Sequence, residues 1–216
     1  MKNCLIIAGG CYSDICRQTP YDYVIACDAG VLFARQMGIN PDLILGDFDS
    51  LSAPVPAEYE GVPVMRYPAM KDDSDTMLAV KAALQKGFDK ITLTCALGGR
   101  LDHTYANLQT LAYIAQNGHI GELLSDDTHI LTFAGGSITL PQKEGYTLSL
   151  FSHTDCCRDV SITGSLYDVA CIDLRNTVPL GLSNAWRDEA ITISMKEGIL
   201  LIIMSRLETP ETNHVY

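Results

Sequence analysis

The residues best placed to do chemistry are Asp47 and Asp49, in Leu43-Ile44-Leu45-Gly46-Asp47-Phe48-Asp49-Ser50. A short apolar run ends in a glycine, and two carboxylates follow at i and i+2. Extended backbone places such residues on one face, so both can converge on one cation. Turn formation is the competing reading for a Gly-Asp pair. Two further acid-bearing segments sit where helices should begin: Lys71-Asp72-Asp73-Ser74-Asp75 and Gly98-Gly99-Arg100-Leu101-Asp102-His103. Acids and a glycine-rich turn at strand ends point to a magnesium–polyphosphate site, and hence to phosphoryl-type transfer.

Each segment also has a structural reading. One of Asp72, Asp73 and Asp75, or Ser74, caps the helix that begins there, and acids in a first turn gain roughly 0.3–1 kcal/mol from the macrodipole. Capping explains one acid and not three, because carboxylates about 4 Å apart repel by roughly 4 kcal/mol at an effective dielectric of 20. A cation offsets that repulsion. Gly98 and Gly99 permit close backbone approach before a helix whose free N–H groups suit a phosphate, and Arg100 can neutralise transferred charge. Asp102 reads alternatively as an N-cap, and His103 as an ordinary first-turn residue. Cys27-Asp28-Ala29-Gly30 sets a fourth acid, Asp28, at the same edge, or else at the start of a helix over 31–37.

Alternating patterns predict the elements that position these groups. Strands are expected at Asn3–Ala8, Tyr23–Cys27, Leu43–Leu45, Val62–Arg66, Lys90–Ala96 and Ile120–Leu124. Helices are expected at Val31–Met37, Asp75–Lys86 and Leu101–Gln116, with Leu101, Tyr105, Leu108, Leu111 and Ala112 on one side of the last. Gly38, Gly87 and Gly118 fit helix C-termini. This rhythm implies an α/β domain over residues 1–126 with a mostly parallel, Rossmann-like sheet. From 127 to 216 the chain turns β-rich, with glycine turn signals at spacings that imply an all-β, sandwich-like domain. There Leu182-Ser183-Asn184-Ala185-Trp186 carries the single tryptophan, which reads either as core or as the wall of a pocket for a flat ring.

Composition narrows the partners. The 216 residues are 47% hydrophobic and carry a formal net charge of -11. No basic block offsets that charge, so neither nucleic acid nor an anionic membrane is an expected partner. The apolar run at the N-terminus is too short for a secretory signal, and no stretch is long enough to span a bilayer, so a cytoplasmic location is expected. The eight cysteines include no C-x-x-C pair, which disfavours zinc; a reducing compartment disfavours disulfides.

Taken in order, Cys27–Gly30, Ile39–Leu51, Lys71–Asp75, Leu97–His103 with Asn107, and Leu182–Asn184 resemble the thiamine pyrophosphokinase family across nearly the whole chain. Ala29 stands where that family often has a second glycine, and Ser74 where threonine is common. The resemblance implies a homodimer with shared active sites that uses ATP and Mg2+ to transfer pyrophosphate to the hydroxyl of thiamine, releasing AMP. It makes Asp47, Asp49 and Asp75 metal and phosphate organisers, with Asp28, Gly30, Asp72, Asp73, Ser74, Gly98, Gly99 and Arg100 around the ATP. Asp102 falls near the reacting hydroxyl or the thiamine. Asn107, Tyr167, Ser183 and Asn184 become thiamine contacts, those of the second domain lent by the partner chain. Competing readings are a hydroxymethyl-pterin diphosphokinase, a haloacid-dehalogenase-type phosphatase built on Asp47-Phe48-Asp49, and a non-catalytic nucleotide- or thiamine-sensing module. The phosphatase would also need a separate lysine and a later acidic motif in order, which the other segments do not supply.

Overall fold

The computed structural model describes residues 1–48, 56–68, 70 and 72–207. The chain divides into two compact units between Phe133 and Ala134.

Among the described residues, the first unit contains seven strands: β1 Asn3–Ile7, β2 Tyr23–Cys27, β3 Leu43–Gly46, β4 Val64–Arg66, β5 Lys90–Thr94, β6 Ile120–Leu124 and β7 Thr128–Phe133. Its helices are α1 Gly30–Met37, α2 Asp75–Gln85 and α3 Leu101–Gln116, and a short 3-10 turn at Ala57–Tyr59 adds to the expected elements. The strand order is β4-β3-β2-β1-β5-β6-β7. All neighbours are parallel except β6 and β7, which pair antiparallel with Leu123 opposite Ile130. That last hairpin carries the unit past 126, because β7 is hydrogen-bonded to β6. The mixed sheet explains the unbroken apolar runs, because central strands are buried on both faces. Leu5, Ile7, Val24, Ala26 and Ile44 pack with Val31, Ala34 and Met37 of α1. The alternating Ile6, Ile25 and Leu45 are equally buried, on the opposite face.

Helix α3 corrects one expectation. Leu101 and Tyr105 are 81% and 60% exposed, and the buried face is Asn107, Thr110, Leu111, Ile114 and Ala115.

The second unit begins at Ala134 and is antiparallel throughout: β8 Gly136–Pro141, β9 Tyr146–Ser152, β10 Cys156–Thr163, β11 Val169–Arg175, β12 Gly181–Asn184, β13 Ala190–Met195 and β14 Leu200–Arg206. Within it β12-β9-β14 hydrogen-bond in that order, and so do β11-β10-β13-β8. Strand β12 is an element that the sequence pattern does not announce. Trp186 belongs to the core: it is 9% exposed and its Nε1 donates to the Leu140 carbonyl at 3.3 Å. The eight cysteines lie outside disulfides. Among the described residues, no helix is long and apolar enough to cross a membrane.

Candidate active site

Parallel strands deliver their carboxyl ends to one edge, and the acids of the first unit collect there. Asp28 follows β2, Asp47 follows β3, and Asp75 opens α2. One carboxylate oxygen from each lies within 4.8 Å of the others. Asp28 and Phe48 are both left-handed, with φ of 45° and 62°. Such backbone is strained for non-glycine residues, above all a bulky one, and collects at functional sites. The turn is held by the Phe48 N–H, which donates to Asp28 Oδ1 at 3.1 Å, and by the Arg66 guanidinium 4.8 Å from the Phe48 ring centre.

Two glycines make this approach possible. A Cβ at Gly46 would occupy the position of Asp28 Oδ1, and one at Gly30 would strike the Ile7 carbonyl at the end of β1. Asp28 itself is not the cap of α1. The N-cap is Ala29, which makes no side-chain capping bond, so the Asp28 carboxylate is left to face Asp75 and Asp47. Burial, a hydrogen bond shared with Asp75 and the charges of Asp75 and Asp47 raise its pKa to about 7, against the opposing Phe48 N–H. Asp28 thus holds its proton more firmly than an ordinary carboxyl group does. Three converging acids fit a hard divalent ion, for which oxygen ligands are preferred.

Around the acids is a cavity of about 620 Å3. Gly9, Gly10 and Cys11 form one wall, Gly98, Gly99 and Arg100 another, and His103 and Asn107 of α3 a third. Ser74 is the N-cap of α2, accepting from the Met77 N–H at 3.2 Å. Asp75 is thereby released from capping and lines the cavity with Ser74 and Thr76. Asn107 is buried and donates to the Ala96 carbonyl at 2.7 Å, fixing the β5–α3 turn. Arg100, not Asp102, is the N-cap of α3. Arg100 and Asp102 form an exposed bidentate pair at 3.1 and 2.6 Å, and this bond holds the Asp102 carboxyl below its ordinary pKa.

Other expected residues are placed elsewhere. Asp72 and Asp73 do not line this cavity, and Asp73 pairs with Lys81 at 2.6 Å. Asp49 lies outside the described residues. In the second unit, Asn184 Oδ1 accepts from the Tyr167 and Ala185 N–H groups, while its Nδ2 donates to Ser165 Oγ and the Tyr167 carbonyl. Its amide is committed to the turn that presents Tyr167, which is 69% exposed. Ser183 sits beside it in β12 with φ of 58°. Sequence reasoning makes Asp28 an ATP contact rather than a member of the acid triad, and it passes over Gly9-Gly10 and His103. A signal for Gly9-Gly10 is present, since the pair ends an apolar strand just as Gly46 does.

This arrangement, three converging acids and glycine turns at the edge of a mixed sheet in a chain with a second, antiparallel β unit, fits the class of enzymes that transfer phosphoryl groups. Family models place the chain more narrowly. Residues 18–120 match the thiamin pyrophosphokinase catalytic domain, and residues 137–200 match its vitamin B1 binding domain. A thiamine pyrophosphokinase of Bacillus subtilis is 29% identical over 212 residues, covering 95% of this chain and 99% of its own. A solved Bacillus subtilis thiamine pyrophosphokinase superposes with a TM-score of 0.87 at 26% identity, over 96% of this chain and all (100%) of the other. A thiamin pyrophosphokinase family protein from Enterococcus faecalis gives 0.80 at 30% identity, with coverage of 96% and 100%. The chain belongs to the thiamine pyrophosphokinase family, whose members are ATP-dependent diphosphokinases.

Proposed function

We propose that this chain transfers the terminal diphosphate of ATP to the hydroxyl of thiamine, giving thiamine diphosphate and AMP. The observation that carries this reading is the convergence of Asp28, Asp47 and Asp75 on one point of a cavity rimmed by glycine turns. Those three residues would hold Mg2+, with Asp49 a further organiser. When bound, the ion neutralises the triphosphate and polarises the phosphorus under attack. The thiamine hydroxyl oxygen bonds to the β-phosphorus, the bond from that phosphorus to the α,β-bridging oxygen breaks, and AMP leaves. The hydroxyl proton passes to a nearby carboxylate, a role we give to Asp102 once substrate parts it from Arg100. Arg100 is then available to the phosphates beside the Gly98-Gly99 turn.

We read the first unit as Rossmann-like and the second as sandwich-like. Tyr167, Ser183 and Asn184 supply thiamine contacts beside Asn107, with Asn184 also holding the Tyr167 backbone, and those of the second unit are lent by a second copy of the chain in a cytoplasmic homodimer. The net charge of -11 suits a cationic thiazolium. The test is a substrate matrix. ATP with thiamine and Mg2+ should yield AMP and thiamine diphosphate in equal amounts, and a hydroxymethyl pterin should yield none. Inorganic phosphate released without AMP would favour the phosphatase reading instead.

A further inference from the structure

Phe48 stands between Asp47 and Asp49 in the chain. Its φ of 62° is left-handed, a region sparsely populated by residues other than glycine and a clear outlier for a bulky one. Strain of that kind persists only where surrounding contacts over-determine it. Two contacts do so here. The Phe48 N–H donates to Asp28 Oδ1 at 3.1 Å, and the Arg66 guanidinium lies over the Phe48 ring, 4.8 Å from its centre.

Arg66 reaches that ring from a fixed base. It is the last residue of β4 and stands opposite Gly46 in the parallel pairing with β3. The next amide, that of Tyr67, donates to the Gly46 carbonyl at 3.1 Å. The backbone that carries Arg66 is thereby tied to the backbone that leads into the Asp47–Phe48 turn. The Phe48 ring also packs on the core cluster that includes Ile44 and Tyr59, while Arg66 covers it from a strand whose three residues are all exposed. A guanidinium suits this place, because its flat and weakly hydrated face stacks on an aromatic ring better than a strongly hydrated ammonium does.

We propose, resting on the function given above, that Arg66 is a positioning residue for the acid site. By stacking on Phe48 it keeps the left-handed turn closed, and through the Phe48 N–H it holds Asp28 within reach of Asp47 and Asp75. It acts through Phe48 and touches neither the metal nor the polyphosphate. A guanidinium at an acid-lined edge has two simpler roles, and each has a different consequence. As a bare charge it would repel a divalent ion, so its removal would tighten metal binding. As a phosphate ligand it would set the KM for ATP and leave binding of the ion alone unchanged. A positioning residue gives weaker metal binding once it is removed, opposite in sign to the bare charge.

Metal binding to the substrate-free protein at pH 8 tests this. Mn2+ is the probe, because it takes the same oxygen ligands as Mg2+, and binding is read from the loss of the free-ion paramagnetic resonance signal. Arg66→Met removes charge and stack at an exposed position, where the fold should tolerate the change. It should weaken Mn2+ binding about fivefold, the factor that one cation–π contact of ordinary strength carries. Phe48→Leu, which leaves the arginine in place, should weaken it by a similar factor. The double variant should be no worse than either single one, as for two residues acting as one unit. In turnover, the half-saturating Mg2+ concentration should rise by the same factor in all three, with the KM for thiamine unchanged. Unchanged or tighter Mn2+ binding by Arg66→Met would overturn the positioning role, and so would losses that multiply in the double variant. A wild-type protein that binds no Mn2+ would bring down the metal site and the positioning role together. One that follows the expected binding pattern yet makes no AMP would bring down the functional reading and leave the positioning of the acids standing.

Discussion

Replacing Asp28 with Asn should stabilise the metal-free protein in alkaline solution and leave it nearly unchanged in acid. With its pKa raised to about 7 from 3.8, the folded state holds a proton that the unfolded state has lost. Stability from this group is therefore complete below pH 3.8, declines as pH rises through the window up to about 7, and is flat above it. A tenfold change in proton affinity corresponds to about 1.4 kcal/mol, so between pH 5 and 8 the wild-type protein loses about 3 kcal/mol that the asparagine variant does not. Asp28 is only half buried, and screening by water reduces this to about 1–2 kcal/mol. The Coulomb estimate has the same sign: charges within 4.8 Å of one another repel by about 3.5 kcal/mol or more per pair at a dielectric of 20. Asparagine keeps an oxygen for the Phe48 N–H, so the turn is retained. The assay is thermal unfolding in a chelator at pH 5 and pH 8. At about 2–4 °C per kcal/mol for a chain of this size, the variant should melt about 2–8 °C above wild type at pH 8 and by a clearly smaller margin at pH 5. Addition of Mg2+ and ATP should raise the wild-type melting temperature and raise that of the variant much less. An equal offset at both pH values would refute the reasoning, because Asp28 would then not titrate between them.

Three further outcomes are expected. Glu122 is buried, which by itself would raise its pKa, but hydrogen bonds from His129, Lys90 and Thr92 outweigh that and hold it at about 2; its contribution is full above pH 4.5 and is lost as pH falls through 2. Glu122→Gln should therefore cost about 3 kcal/mol at neutral pH, read by denaturant unfolding, and an undiminished cost at pH 3 would count against the ion cluster. Gly46→Ala puts a methyl group where Asp28 Oδ1 lies, so turnover should drop at least a hundredfold while far-UV circular dichroism stays native; a tenfold drop or less would show that Asp28 can sit elsewhere. Refolding a mixture of Asp49→Asn chains with Tyr167→Ala/Ser183→Ala chains should restore about a quarter of wild-type sites if two copies complete each site, and mixed dimers without any recovery would exclude sharing.

Much of the scaffold is legible in the sequence because its cues are local. A central parallel strand must be apolar on both faces, and Tyr23–Cys27 and Ile120–Leu124 fall where the apolar runs do. Helix α3 begins and ends where its glycines and periodicity require. Strand β12 escapes detection because its exposed Leu182 and Ser183 show no burial alternation. The end of the first unit is misplaced by sequence because a switch from parallel to antiparallel pairing at β7 leaves no mark in composition. The first turn of α3 keeps its apolar pattern yet loses its burial, since a hydrophobic period cannot say whether a sheet lies beneath it.

For the site, sequence determined which residue types follow which strands: acids after β2 and β3 and at the start of α2, and glycines before α3. Covalent order and strand polarity suffice for that, since parallel strands must bring those ends to one edge. Only the tertiary structure decided which carboxylates converge on one point. It drew in Asp28 through a left-handed turn and the empty space above Gly46, and it gave Asp73 to Lys81. It also tied Ser13 to Asp126 across 113 positions. Such pairings depend on distances of a few ångströms between segments remote in the chain, and those distances exist only once the sheet has assembled.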